Sequence, residues 1–444
     1  MRVARLVRDG GGDVEVPDTA RPWTAGLTSA LGFAVLFLLM ALRIPIGVAM
    51  GLVGVGGFAA VNGPGPALKL LAHVPIRTVS DYNLSLIPMF LVMGSVASAS
   101  GMSQELFRAG YAWLGHRRGG FAAICGSSVA TAATMSQVAL PEMRRFGYGD
   151  RLATGVIAAG GTLGILIPPS VVLAIYAILT DQDIGKLFVA GILPGLLAVG
   201  LYLLTVQAEV WFDPASAPRG ERTTWRGRWQ ALAGISATAI LFLFVIGGIY
   251  GGMFTPTEAA EMGAGGAFLI ALGRRRLTLR QTIDCLVSSL RTAATIFTIL
   301  IGALLFGYFL AVTQTPQRLA EVLGGLPLGP YGILTVILVF YFFLGCILDA
   351  MAMVFLTVPI IFPLVVKLGF DPIWFGVIVV MTVELGLISP PVGMNVFVIK
   401  GVVPGVSLST IFRGVLPFLV VDIVRIASLV AFPALALFLP ARMG

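Results

Sequence analysis

The chain has 444 residues, of which 57% are hydrophobic and only 11% charged, with a mean hydropathy of +0.97 and a formal net charge of +8. Soluble domains carry about 25% charged residues, so this chain does not have the polar surface of a water-soluble globular protein. The positive charges sit in short clusters between apolar runs, as in the cytoplasmic loops of membrane proteins, and this argues against a nucleic-acid-binding face.

In chain order, residues 1–22 form a polar N-terminal extension. It is expected to be retained, because nothing after the first apolar run reads as a small-residue cleavage site. A first half follows over 23–207. Its opening stretch, Leu27 to Leu42, is nearly free of charge. A helix crosses a bilayer with about 20 apolar residues, and a chain of this length holds roughly ten such segments. Alternation at period 2 is absent, so the spans are helices and not barrel strands. Further on, Arg117-Arg118 and Arg144-Arg145 flank FAAICGSSVATAATMSQVALPE. Both flanks prefer the cytoplasm, which predicts a re-entrant hairpin near 120–142. Residues 208–230 are a polar, arginine-rich linker assigned to the cytoplasm, and a second half occupies 231–444. Within it Thr255-Pro256-Thr257-Glu258 spells a capping box with proline at the first helical position, and a second hairpin is expected near 344–364.

The two halves repeat each other. FGYGDRLATGVIAAGGTLGILIPPS (Phe146 to Ser170) aligns without a gap on LGFDPIWFGVIVVMTVELGLISPPV (Leu368 to Val392), matching Gly164 with Gly386 and Pro168-Pro169 with Pro390-Pro391. GILP (Gly191 to Pro194) meets GVLP (Gly414 to Pro417) after a one-residue slip. The unequal basic flanks of the two hairpins fit an inverted-topology repeat, with one hairpin entering from each side. Inversion puts the N-terminus outside, against the preference of Arg2, Arg5 and Arg8. Two successive prolines break a membrane helix, and the freed backbone groups survive at membrane depth only where protein, water or a ligand satisfies them. In repeat transporters such breaks form the ion and substrate sites.

GGMFTPTEAAEMG (Gly251 to Gly263), the block from Ile347 to Val398 and LGILIPPSVVLAIYAIL with GILPGLL together resemble the large, DctM-like membrane subunit of TRAP transporters, from about Arg43 to Pro417. The resemblance implies an all-α polytopic protein with elevator-type scaffold and transport domains, working in sodium-driven uptake of a small organic acid at the bacterial inner membrane. It implies two partners, a small four-helix membrane subunit (DctQ-like) and a periplasmic substrate-binding protein (DctP-like). With no further membrane module before Trp23, the small subunit is expected to be a separate chain. Sodium is the expected coupling ion, with no other metal or cofactor and no enzymatic role. A self-sufficient ion-coupled carboxylate carrier is the alternative.

Intramembrane carboxylates are costly and point to function, and a hard cation favours carboxylate, hydroxyl and carbonyl oxygens. On that basis Asp349 and Glu384 head a candidate cation set that includes Ser389, Gly386, Thr162 and Gly164, together with Gly126, Ser127, Ser128 and Thr131 of the first hairpin. Ser127 aligns with Asp349, and Thr162 with Glu384. Each also has a plainer reading: a helix cap for Asp349, a buried hydrogen bond for Glu384, and back-bonding to a carbonyl for the hydroxyls. Pro168, Pro169, Ser170, Pro390, Pro391, Gly393 and Asn395 at the breaks are the candidate substrate contacts. Glu258 is read as a cap, and Asp422 with Arg425 as a helical ion pair. Cys125, Cys285 and Cys346 make no CxxC, and His73 and His116 are too few for a metal site without carboxylate help.

Overall fold

The computed structural model describes residues 22–102, scattered positions between 105 and 145, and residues 147–217, 224–325, 327–403 and 405–443. The predicted first hairpin, with Gly126, Ser127, Ser128 and Thr131, lies outside the described residues. All regular structure among those described is helical. The helices are α1 (Pro22–Ala41), α2 (Ile46–Asn62), α3 (Pro64–Val79), α4 (Leu86–Ala99), α5 (Asp150–Leu166), α6 (Val171–Thr180), α7 (Ile184–Phe212), α8 (Trp225–Tyr250), α9 (Pro256–Gly273), α10 (Leu279–Val312), α11 (Thr315–Gly324), α12 (Pro330–Gly345), α13 (Ala350–Lys367), α14 (Pro372–Ile388), α15 (Met394–Val402) and α16 (Leu408–Ala431).

Six of the described helical segments are long and apolar enough to cross a membrane, or seven if α5 and α6 count as one span bent by 42°. Four further described helices are apolar but run only 10–17 residues, and this count covers the described residues alone. Several apolar segments are cut short by the punctuation seen in the sequence: α12 and α14 are apolar but stop at 16 and 17 residues. The capping box at the start of α9 forms as expected, with Thr255 and Glu258 each bonding the other's backbone amide. The turn between α12 and α13 falls at 346–349, so the second hairpin's expected bounds hold that turn and most of its second arm.

The helices pack in two groups. One is built on α2 against α10, with α4 lying on α9 and α10. The other gathers α5, α7, α14 and α16 around the two Pro-Pro segments, with α12, α13, α6 and α15 packed on them. The crossing of α5 and α16 is set by two glycines. A Cβ on Gly155 would come within 2.2 Å of the Gly414 carbonyl oxygen, so any side chain there forces the backbones apart. That contact joins a first-half broken helix to a second-half helix. The core of this group is nearly solvent-free: α14 is buried from Trp374 to Ile388.

Candidate functional site

Both Pro-Pro segments interrupt helices as expected, and both bonds are cis. At the first, α5 stops at Leu166 and α6 resumes at Val171, capped by the Ser170 hydroxyl, which accepts from the Leu173 amide at 3.2 Å. The same hydroxyl donates to the Ile165 carbonyl, so one side chain satisfies a group on each side of the break. Thr162 is fully buried and donates to the Ala159 carbonyl at 2.8 Å. Gly164, by contrast, is exposed.

At the second, α14 ends at Ile388 and α15 begins at Met394, with Gly393 between them at φ 60° in the left-handed region open to glycine. Ser389 is buried and donates to the Leu385 carbonyl at 2.6 Å. Pro390 and Pro391 are exposed, whereas Pro168 is buried. Gly386 has a packing reason to be glycine, since a Cβ there would lie 2.6 Å from the Gly345 carbonyl carbon. Asn395, wholly buried in α15, donates from Nδ2 to the Ala158 carbonyl of α5 at 3.2 Å and so ties the second break to the first broken helix. Its Oδ1 has no hydrogen-bond partner among the described residues. A buried amide oxygen without a partner costs about 1–3 kcal/mol, and it has the donor chemistry a hard cation or a substrate hydroxyl would use.

Asp349 caps α13. Its Oδ1 accepts from the Met351 and Ala352 amides at 3.0 and 3.1 Å. Capping occupies one carboxylate oxygen and leaves the residue half-buried in the turn between α12 and α13. From this turn the Cys346 thiol reaches the Pro390 carbonyl, Sγ to O 3.5 Å, so the turn and the second break are neighbours. Asp349, Ser389, Gly386 and the exposed prolines therefore belong to one region.

Glu384 points elsewhere. Its Oε2 accepts from Arg425 Nη2 at 2.9 Å, and the same nitrogen lies 3.1 Å from Asp422 Oδ1. The Tyr202 hydroxyl of α7 donates to Asp422 Oδ2 at 2.7 Å. All three charged side chains are 0% exposed. The expected i,i+3 pair of Asp422 and Arg425 is present, but it is part of a cluster spanning α7, α14 and α16. The three helices that carry the cluster, α7, α14 and α16, all pack on α5. The sequence reading missed the link between Arg425 and Glu384 because the two are 41 residues apart. The one-residue slip that aligns GILP with GVLP offered a signal. Carried onward it matches Tyr202 with Arg425, while Thr162 already matches Glu384.

With this geometry in place, the chain can be set beside known proteins. The family described as "Tripartite ATP-independent periplasmic transporter, DctM component" matches residues 33–435. A C4-dicarboxylate TRAP transporter large permease protein DctM of Pseudomonas aeruginosa is 36% identical over 85% of this chain and 91% of its own length. One from Rhodobacter capsulatus is 32% identical over 94% of this chain and all of its own length. A sialic acid TRAP transporter large permease protein SiaM of Vibrio cholerae is 30% identical over 89% of this chain and 94% of its own. Among solved structures, the Alcanivorax borkumensis YdaH transporter matches the fold with a TM-score of 0.56 at 16% identity, covering 85% of this chain and 88% of that one.

Proposed function

The chain belongs to the DctM family, the large permease subunit of tripartite ATP-independent periplasmic transporters, and from that premise we propose that it carries a small organic acid inward, driven by sodium. The observation that carries this reading is the pairing of two Pro-Pro breaks with oxygen-rich neighbours inside one buried helix group. Broken helices free backbone carbonyls, which suit a hard cation, and amino ends of half-helices, which suit an anion.

In this reading Asp349, Ser389 and the carbonyls near Gly386 form the cation site of the second half. Thr162, with the carbonyls around Gly164, serves the first half, and the sequence offers Gly126, Ser127, Ser128 and Thr131 as its further ligands. Asn395 faces both halves and lies between cation and substrate. Glu384, neutralised by Arg425, contributes by fixing α14 and not by direct ligation. The half-helices starting at Ser170 and Gly393 offer their amino ends to the substrate carboxylate, flanked by Pro168, Pro169, Pro390 and Pro391. Movement of the α5, α7, α14 and α16 group past the α2 and α10 group supplies alternating access of the elevator type.

The relatives transport C4-dicarboxylates or sialic acid by name, which favours a carboxylate substrate. A separate small membrane subunit and a periplasmic binding protein complete the system in the inner membrane, although one relative is a fused DctMQ permease. Reconstitution with both partners in proteoliposomes tests the proposal. Uptake should require an inward sodium gradient, and uptake indifferent to that gradient sinks the coupling.

A further inference from the structure

The scaffold side of the molecule carries a second constructed surface, remote in sequence from the breaks. At the start of α8, Trp225 and Trp229 are 66% and 61% exposed. Both pack edge-on against Trp113, at centroid distances of 6.3 Å. The Arg228 guanidinium lies 5.0 Å from the Trp225 ring centre and 6.0 Å from that of Trp113. Further along α8 the Gly234 carbonyl accepts from Arg274 Nη2 at 3.0 Å. Arg274 also pairs with Glu105, and Arg276 does so at 3.0 Å. The aromatic cluster and the Arg274–Arg276 turn at the end of α9 are thus tied to the same stretch of α8.

Glu105 is shared by two arginines, so the surface keeps a positive excess. Arg226, Arg275 and Arg280 are exposed, and no ion pair is recorded for them among the described residues. Asp284, one turn beyond Arg280, forms no salt bridge with it. Below this end, α8 is a 26-residue apolar helix with only 17% of its spanning window buried, and Ile240 and Leu243 are 66% and 67% exposed. Indoles prefer the headgroup level of a bilayer, and arginine clusters just cytoplasmic of a span attract anionic lipid.

We propose that this Trp-Arg platform is a binding surface for an anionic phospholipid of the cytoplasmic leaflet. The exposed Arg226, Arg275 and Arg280 of this end would attract its phosphate, its glycerol region would lie against Trp225 and Trp229, and its acyl chains along the exposed face of α8. The charge excess selects phosphate over a neutral headgroup, and the apolar wall below accepts chains.

The test uses the full-length chain co-purified with its small membrane subunit in detergent, with phosphatidylglycerol or phosphatidylcholine added in mixed micelles. Phosphatidylglycerol should raise the unfolding midpoint above that in phosphatidylcholine, and native mass spectrometry should show it retained. R226Q/R275Q/R280Q should keep its midpoint in phosphatidylcholine but weaken phosphatidylglycerol binding about fivefold per arginine removed, the equivalent of the ~1 kcal/mol each is worth at an anionic surface. Equal shifts by both lipids would overturn the proposal, as would an unchanged phosphatidylglycerol response in the variant. If the variant instead lost the small membrane subunit on purification while its lipid response stayed intact, the surface would be a protein interface and the proposal would fail.

Discussion

The two broken helices are alike in sequence and opposite in electrostatics. Around the first, the polar groups are neutral: Thr162 bonds Ala159 within its own helix, and Ser170 bridges the break. On α14 the matching position carries Glu384, which points away from its own break into a fully buried cluster with Arg425, Asp422 and the Tyr202 hydroxyl. Burying ions costs several kcal/mol each, which only good geometry and further hydrogen bonds repay. The second half accepts that cost, while its break at Pro390-Pro391 is left exposed and that at Pro168 is buried. The two halves thus share the interruption but not the polar group at the matching position. The first broken helix keeps its polar bond local, whereas the second carries at the matching position a carboxylate that joins a buried cluster across three helices.

Substitutions at the two broken helices should differ in kind and in size. Removing the guanidinium should have the largest effect. Arg425→Met strands two buried carboxylates and should cost about 3–5 kcal/mol, read as a lowered unfolding midpoint in detergent, with part of the loss recovered in R425M/E384Q/D422N. A single variant as stable as the wild type would remove the cluster from the account.

Asp349 comes next and separates cap from charge. Asp349→Ala should abolish transport while leaving expression intact. Asp349→Asn keeps a side chain that caps a helix about as well as aspartate, so its transport should also fail if the charge is what matters. Normal uptake by the asparagine variant would reduce Asp349 to a cap.

Tyr202→Phe leaves the buried Asp422 Oδ2 without its hydroxyl donor and should cost about 1–3 kcal/mol. It tests the first half's share in the cluster, and a neutral result would confine the cluster to the second half. The smallest stability effect belongs to Thr162→Val, which keeps the shape and loses only a bond within its own helix. Stability should change by less than about 1 kcal/mol, whereas the sodium concentration giving half-maximal uptake should rise. Unchanged sodium dependence there would take Thr162 out of the cation site.

Much of this organisation was legible in the sequence because it is local or periodic. Continuous apolar runs dictate helices, Thr255 to Glu258 spells its own cap, and paired prolines interrupt a helix wherever they fall. The gapless alignment located both breaks. What the sequence concealed depends on distance in the chain. Arg425 looked like the partner of Asp422 because i,i+3 spacing is visible, and its bond to Glu384 across a helix interface is not. Likewise Gly386 read as a candidate carbonyl donor, while its close approach to Gly345 follows only from the packing of α12 on α14. Where each apolar segment stops was also hidden, because composition counts apolar residues while helix breaks decide how long each helix runs.

If the paired breaks carry sodium and substrate together, as proposed, sodium enters with the substrate. In proteoliposomes holding the permease and its small partner subunit, radioactive sodium entry should begin when the substrate-loaded binding protein is added outside and should vanish in Asp349→Ala. Substrate accumulation with no accompanying sodium entry would contradict the account.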